Sequence, residues 1–110
     1  MVLKVEKDYL RQLYETGTTS DKKHRFQPEI VRAYAKCLYR LEEAVYQEDL
    51  YKYQSLHFEA LTGDKQGLYS VRVNNQYRIE FEISQSESNQ ENFDTVIRIC
   101  NIIELSNHYK

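Results

Sequence analysis

The sequence predicts a single α+β domain in which two N-terminal helices pack on one face of a small antiparallel sheet. Apolar residues recur at steps of three and four in the first half of the chain, as in helices, and at alternate positions in the second half, as in strands. A chain of 110 residues can bury one hydrophobic core but not two. We therefore expect residues 1–110 to form one domain.

The first half of the chain is predicted to contain one short strand and two helices. Val2 to Val5 is a short strand, and a helix runs from about Glu6 to Thr16, where Gly17 is placed to end it. Residues 18–25 form a polar, partly basic loop. Pro28 opens the longest helix, because proline is favoured at a first helical position. The apolar stripe of that helix consists of Ile30, Tyr34, Cys37, Leu38, Leu41 and Val45.

A β-hairpin is predicted in the second half. Its apolar face carries Tyr69, Val71 and Val73 on one strand and Tyr77, Ile79, Phe81 and Ile83 on the next. Val73 and Tyr77 can share a face as a cross-strand pair only if the loop between them has an odd number of residues. We therefore expect a three-residue turn at 74–76, with an asparagine in the left-handed conformation. This register places Arg72 and Arg78 side by side on the opposite face.

The remaining segments complete the predicted order β-α-α-β-β-β. Residues 49–55 are predicted to be a short helical or irregular link, and residues 84–94 a polar loop. Thr95 to Ile103 is the last predicted strand, with Arg98 on the same side as Arg72 and Arg78. Its core-facing residues are predicted to be Ile97, Ile99 and Ile103. The first strand joins the sheet at an edge, and the helices leave one face of the sheet free.

Two interpretations of the paired arginines are open. Adjacent guanidinium groups repel each other unless an anion lies between them, and a phosphate or a carboxylate would serve. Alternatively, Glu80 and Glu82 pair with Arg72 and Arg78 in surface salt bridges, which are ordinary on a half-exposed sheet. The hairpin taken alone favours the salt-bridge interpretation.

Composition argues against several classes of protein. Fifteen Lys and Arg against seventeen Asp and Glu give a net charge of −2, so binding to a nucleic acid would depend on local positive charge. Cys37 and Cys100 lie in apolar settings and fit reduced packing residues. The first residues lack the apolar region of a secretion signal, and no stretch approaches the roughly 20 apolar residues of a membrane span. We therefore expect a cytoplasmic protein.

Four segments resemble the signatures of HigB-type toxins of the RelE/ParE toxin–antitoxin superfamily. Leu13–Gly17 resembles LYETG, Leu61–Asp64 resembles LKGD, Gly67–Val73 resembles GxxSIRV, and Tyr77–Phe81 resembles WRIxF. In addition, Ile103–Tyr109 lies where the family has a strand ending in Asp-Tyr-His. The resemblance covers nearly the whole chain and implies a RelE-like fold.

The same resemblance implies a function and a set of partners. It implies the toxin of a type II toxin–antitoxin pair, an endoribonuclease that cleaves messenger RNA on the translating ribosome. A small helix-turn-helix antitoxin of the HigA type would neutralise it. Contact with DNA would occur only indirectly through that antitoxin, and neither a membrane partner nor a cofactor is implied.

Metal-independent cleavage of RNA requires particular side chains close together. A base removes the proton of the 2′-hydroxyl, cations stabilise the charged transition state, and an acid protonates the leaving 5′-oxygen. The candidate catalytic residues are Arg78, His57, His108 and Tyr109, the candidate substrate-binding residues are Arg72, Lys65 and Arg98, and no metal ligands are expected.

The chain departs from the family pattern at several of these positions. Thr62 stands where LKGD has its lysine, Glu59 where the family has a histidine with His57 two residues earlier, and the tail reads Asn-His-Tyr instead of Asp-Tyr-His. His57 also fits a packing histidine, and His108 and Tyr109 a frayed chain end. Two alternatives therefore stay open: a catalytically weak or inactive binding module on the same fold, and a ParE-like inhibitor of DNA gyrase.

Overall fold

Two helices pack against one face of a five-stranded sheet in the computed structural model of this chain, which describes residues 1–90 and 93–107. The strands are β1 (Val2–Val5), β2 (Glu59–Ala60), β3 (Tyr69–Arg72), β4 (Tyr77–Gln90) and β5 (Phe93–Asn107), and the helices are α1 (Asp8–Thr16) and α2 (Pro28–Glu43). The sheet order is β1-β5-β4-β3-β2. β1 runs parallel to β5, and the other neighbours are antiparallel. The predicted α+β class is confirmed, and β2 is an additional short strand.

The helices begin and end close to their predicted residues. α1 ends where Gly17 adopts a left-handed conformation with φ of 78° and donates its N–H to the carbonyl oxygen of Leu13. α2 begins at Pro28 as predicted. Val45 is 60% exposed, so its predicted place in the core is wrong. The helix ends at Glu43, and Ala44 takes the buried position instead.

Short 3₁₀ segments connect these elements. They are Lys22–His24 before α2, Gln47–Lys52 and Gln54–Leu56 after it, and Gly63–Lys65 before β3. Residues 49–52 and 54–55 are 3₁₀-helical, so the predicted short helical or irregular link at 49–55 is confirmed. In the described part of the chain, no helix has the length and apolar character needed to cross a membrane.

The core lies between the two helices and the predicted apolar face of the hairpin. Val71, Ile79 and Phe81 are fully buried, and Tyr69, Val73, Tyr77 and Ile83 pack against the same cluster. From the helices, the largest fully buried residues are Leu10, Leu13, Tyr34, Leu38 and Leu41. The alternation of the hairpin therefore predicted its core face correctly.

The core face of β5 is not the predicted one. Phe81 pairs with Ile102 and Glu80 with Glu104, so Ile103 is an extra residue that forms a β-bulge. The buried residues are Cys100, Ile102 and Leu105, whereas Ile97 is 38% exposed. The prediction that Ile97, Ile99 and Ile103 face the core is wrong. Apolar residues occupy both alternations of this strand, and the bulge shifts the alternation midway.

The predicted polar loop at residues 84–94 is wrong for residues 84–90 and 93–94, and residues 91–92 lie outside the described residues. β4 continues to Gln90 and β5 begins at Phe93, with paired residues along this length. The backbone pairing of the two strands holds this part of the hairpin together.

The turn between β3 and β4 has the predicted length but a different conformation. Val73 and Tyr77 close a three-residue loop, with the N–H of Val73 donating to the carbonyl oxygen of Tyr77 at 3.0 Å. Among the described residues other than glycine, His57 alone has a positive φ, so the expected left-handed asparagine is absent there. Instead, Oδ1 of Asn74 accepts the N–H groups of Gln76 and Tyr77, both at 2.8 Å.

Replacement of Asn74 should therefore weaken the turn. We expect Asn74→Ala to lower the free energy of unfolding by about 1–2 kcal/mol, because two backbone N–H groups lose their acceptor. Asn75→Ala is the matched control, since the Asn75 side chain is exposed, and it should change stability by less than about 0.5 kcal/mol. Urea denaturation of both variants measures the difference. Equal stabilities would show that the side chain of Asn74 does not hold the turn.

Candidate functional site

The register of the hairpin brings Arg72 and Arg78 onto one face of the sheet, as predicted. They are direct cross-strand partners, and the next pair on that face is Ser70 with Glu80. These four residues alternate with the buried core residues, so they lie on the face opposite the helices. That face is not entirely free, however. Ser70 and Glu80 are only 2% and 3% exposed.

Glu80 is the centre of a buried polar cluster on this face. Its Oε2 accepts hydrogen bonds from Nζ of Lys65 at 2.6 Å and from Nε and Nη2 of Arg78 at 3.0 and 2.8 Å. Oγ of Ser106, on β5, donates to the same oxygen at 3.3 Å. Four donors therefore converge on one carboxylate oxygen. We call these residues, Lys65, Arg78, Glu80 and Ser106, the Glu80 cluster.

The Glu80 cluster distinguishes between the two interpretations of the paired arginines, a bound anion and salt bridges within the chain. The anion next to Arg78 is a carboxylate of the chain itself, which favours the salt-bridge interpretation. The bridge is not a surface one, because the side chains of Arg78 and Glu80 are only 13% and 4% exposed. The Lys65 side chain is 45% exposed and links the cluster to solvent. In so buried a pair the charges hold each other in fixed positions.

The environment of Glu80 lowers the pKa of its carboxyl group. Burial by itself raises the pKa, but the hydrogen bonds and positive charges of Lys65 and Arg78 outweigh it. Because the pKa of the folded state lies below that of the unfolded state, ionised Glu80 stabilises the fold above the ordinary glutamate pKa of about 4.3. This contribution is lost as the pH falls through the lowered pKa.

This linkage predicts a pH-dependent effect of Glu80→Gln. At pH 7 the variant should be less stable than the wild type, and the difference should shrink as the pH falls below about 4. Urea denaturation between pH 7 and pH 3 measures it. Glu82→Gln is the matched control, because it removes the same charge from an exposed position two residues away. A difference between wild type and Glu80→Gln that stays constant over this range would contradict the linkage.

Lys65 and Arg78 also line a concavity of about 310 Å³, together with residues 59–62. Lys65 ends a 3₁₀ turn that starts at Gly63, whose φ of 65° suits a glycine. That turn lays the lysine over β4, fifteen residues further along the chain. The structure therefore brings together two of the predicted site residues, Lys65 and Arg78, at an open surface.

Arg72 stands beside this concavity without lining it. It is half-buried at the edge of the sheet and lines a smaller concavity of about 210 Å³ with Lys36 and Arg40 of α2. Its carbonyl oxygen accepts a hydrogen bond from Sγ of Cys37 at 3.6 Å. Arg72 thus extends the positive charge from the Glu80 cluster toward the exposed side of α2.

Arg98 is not on the predicted face. It pairs with Gln85, and its side chain lies on the same side of the sheet as those of Cys100 and Ile102, the helix side. Its guanidinium group lies over the ring of Tyr46 at 4.5 Å from the ring centre. The prediction failed because it used the wrong alternation for β5.

Of the three candidate acid–base residues, the structure describes only His57. His57 lies in an exposed turn with φ of 46°, two residues before the concavity begins at Glu59. His108 and Tyr109 lie outside the described residues. β5 is described up to Asn107, which pairs with Tyr77, and the preceding pair is Ser106 with Arg78. The strand therefore runs toward its end beside the Glu80 cluster.

A second polar cluster next to the site was not predicted. Glu104, the cross-strand partner of Glu80, accepts hydrogen bonds from Nζ of Lys7 at 2.7 Å and from the hydroxyl of Tyr9. The ring of Tyr9 stacks on His24 at 3.7 Å, and Nδ1 of His24 lies 2.9 Å from Oδ2 of Asp21. These residues come from distant segments, so no local pattern in the sequence could reveal the cluster.

The sequence indicates Glu80 as a pairing partner of the arginines but not as the centre of a buried cluster. Its signal in the sequence was slight: an acidic residue between the buried Ile79 and Phe81, on the same face as Arg78. Lys65 could be placed over it only by the path of the 59–65 segment. Burial of this face depends on that segment, which alternation within the hairpin does not describe.

Comparison with known proteins agrees with this architecture. Residues 3–96 match the family described as RelE-like toxin of type II toxin-antitoxin system HigB. The chain is 37% identical over 83 residues to Toxin HigB-1 of Vibrio cholerae serotype O1, which covers 74% of this chain and 83% of that protein. In structure it resembles the YoeB/ParE toxin from Agrobacterium tumefaciens, with a TM-score of 0.56 at 15% identity over 99% of this chain and 100% of the other.

The structural likeness shows the fold, and the sequence matches show the family. The family match spans most of the chain and includes Lys65, Arg78 and Glu80 of the Glu80 cluster. Membership of a type II system implies an antitoxin as partner. The chain belongs to the HigB toxins of type II toxin–antitoxin systems, in the RelE/ParE superfamily.

Proposed function

We propose that this toxin is an endoribonuclease that cleaves messenger RNA on the ribosome by metal-independent acid–base chemistry. A HigA-like helix-turn-helix antitoxin would neutralise it. The observation that carries the proposal is the convergence of Lys65 and Arg78 at one concavity on the face opposite the helices. Both side chains are held by a buried carboxylate, so their positions are set before a substrate arrives.

The charge of this surface suits a phosphodiester. Lys65, Arg72 and Arg78 carry three positive charges, and Glu80 and the lining residue Glu59 carry two negative charges, which leaves a surplus of one. A phosphodiester carries one negative charge, and the phosphorane-like transition state approaches two. The surplus attracts the phosphodiester, and the donors of Lys65 and Arg78 stabilise the further negative charge that develops in the transition state, as electrostatic catalysis requires.

The fixed positions of the Arg78 and Lys65 side chains add to this electrostatic stabilisation. Glu80 accepts two N–H groups of Arg78 on one oxygen, which orients the guanidinium plane. Donors that are already oriented need not reorganise when charge develops on the substrate, which is the main advantage of such a site over water. In this proposal Glu80 is a positioning residue, while Arg78 and Lys65 contact the scissile phosphate.

The acid and the base are proposed to come from the tail. His108 and Tyr109 follow Asn107, whose partner Tyr77 is the neighbour of Arg78 in β4. An imidazole and a phenol supply the two proton-transfer groups that cleavage requires. His57 is the alternative base, since it precedes Glu59 at the rim of the same concavity. Arg98 is not retained, because it lies on the other face.

One observation favours a second candidate function, a catalytically weak or inactive binding module. Glu80 and Glu59 together offset the two positive charges that Lys65 and Arg78 bring to the concavity. An RNA phosphate must then be attracted by the remaining charge, including that of Arg72. A module that binds only its antitoxin would need no such surplus.

Expression in cells separates the two candidates. We expect the toxin to arrest growth when it is expressed alone, with truncated messenger RNAs in the cells, and to be harmless together with the antitoxin encoded beside it. Glu80→Gln provides an internal check, because loss of the carboxylate should strengthen RNA binding but slow cleavage. Unimpaired growth, with intact messenger RNA despite folded toxin, would favour the binding module.

A further inference from the structure

A groove of about 470 Å³ lies on the helical side of the molecule, away from the Glu80 cluster. It forms where the end of α1, the loop that follows and the first two turns of α2 meet. Its wall is apolar and consists of Leu13, Phe26, Pro28 and Val31, with Arg25 and Arg32 at its margin. Leu13 and Val31 are 2% and 8% exposed, so the groove opens directly above the core.

The backbone at the end of α1 keeps the groove open. Gly17 lines it in a left-handed conformation, and an added Cβ there would have no atom within 4 Å. Thr18, the next lining residue, is exposed. This part of the rim therefore has room for a side chain from outside the molecule.

The margin of the groove carries unneutralised positive charge. Arg25 and Arg32 are exposed, and neither forms a salt bridge or a side-chain hydrogen bond with any residue in the described ranges. The first turn of the sixteen-residue α2 lies in the groove, and Glu29 of that turn is not among the residues that line it. The groove thus combines an apolar wall with positive charge.

We infer that this groove docks the antitoxin through a segment that places an apolar side chain between carboxylates. The apolar wall fits the buried anchor of a protein interface, and the two arginines complement acidic residues beside it. RNA would match the arginines but leave the apolar wall uncovered. The inference rests on the proposed function in one respect, that an antitoxin neutralises this chain.

The groove can be tested separately from the proposed site. Phe26 of the groove packs edge-on against Tyr77, with ring centres 5.3 Å apart, and Tyr77 lies on the helix side of β4. Arg78, the next residue, lies on the other face. Substitutions at the exposed margin of the groove therefore leave the Glu80 cluster untouched.

Two pairs of variants make the test, with the purified antitoxin encoded beside the toxin gene as the probe. Thr18→Trp fills the groove, and Ser20→Trp puts the same bulk on the same loop outside it. Arg25→Glu with Arg32→Glu reverses the marginal charge, and Lys22→Glu with Lys23→Glu changes the net charge equally nearby. We expect both groove variants to bind the antitoxin at least about 30-fold more weakly, the loss typical of a hot spot, and both controls to bind within about threefold of wild type.

The measurement is the dissociation constant by titration calorimetry, with thermal unfolding and RNA cleavage recorded for the same preparations. If the variant with Arg25→Glu and Arg32→Glu fails to fold, the affinity of Thr18→Trp for the antitoxin, compared with that of Ser20→Trp, tests the inference alone. Groove variants that bind the antitoxin as tightly as their controls overturn the inference. So does concentration-dependent self-association of the wild type that Thr18→Trp abolishes, because the groove would then hold a second copy. A wild type that cleaves no RNA, with antitoxin binding lost in the groove variants, supports the inference and contradicts the proposed nuclease.

Discussion

Removal of His108, Tyr109 and Lys110 is expected to slow RNA cleavage by about 10²–10⁴-fold, the usual contribution of general acid–base catalysis. The fold should remain, because Leu105, 5% exposed, is the last residue of the core cluster along the described part of β5. Single-turnover cleavage and urea denaturation of the truncated and full-length proteins measure the two effects.

Two controls refine this prediction. Removal of Lys110 alone should leave the rate unchanged, and His108→Ala and Tyr109→Phe should divide the loss between the two residues. Antitoxin binding by the truncated protein should be that of the wild type, since the groove lies on the helical side. A truncated protein that cleaves at the wild-type rate would exclude both residues from catalysis. The acid–base role would then pass to His57 with Lys65.

Arg78→Lys is expected to slow cleavage by about 10²–10³-fold, the usual cost of losing one donor to a developing charge. Lysine keeps the positive charge but lacks the planar fork that donates twice to Glu80 and still faces the concavity. The effect on stability should be small beside that on the rate, because the charge opposite Glu80 is retained.

Arg78→Ala tests the site less well, for a structural reason. Arg78 is 13% exposed, and its removal leaves the buried Glu80 with Lys65 as its remaining positive partner in the cluster. Breaking such a pair costs about 3 kcal/mol of stability. Arg98→Lys is the matched control, since Arg98 lies on the helix side of the sheet over Tyr46. If both lysine variants cleaved at the wild-type rate, Arg78 would have a purely structural role.

The hairpin could be predicted because its pattern is local. Apolar and polar residues alternate on both strands, and the parity of the loop then determines that Arg72 and Arg78 share a face. The resemblance at the flanking motifs indicates the same fold, which the structural likeness confirms. The helices were predictable for the same reason, since each carries an apolar stripe of its own.

The last strand and the site could not be predicted in the same way. Ile97, Ile99 and Ile103 share one alternation while Cys100 and Ile102 share the other, so periodicity could not choose between them. A bulge opposite Glu80 then changes the alternation. The Glu80 cluster depends on contacts between residues fifteen and twenty-six positions apart in the chain. Such contacts are set by the path of the connecting segments.

The most direct measurement is single-turnover cleavage of a defined messenger RNA on programmed ribosomes, with purified wild-type toxin and with Arg78→Lys. Both proteins must first be shown to be folded and to bind the antitoxin equally well. We predict that the wild type cuts the message at discrete positions and that Arg78→Lys is at least about 100-fold slower. A wild type that leaves the message intact, or two proteins that cut it at equal rates, would contradict the claim that the concavity at Lys65 and Arg78 cleaves RNA.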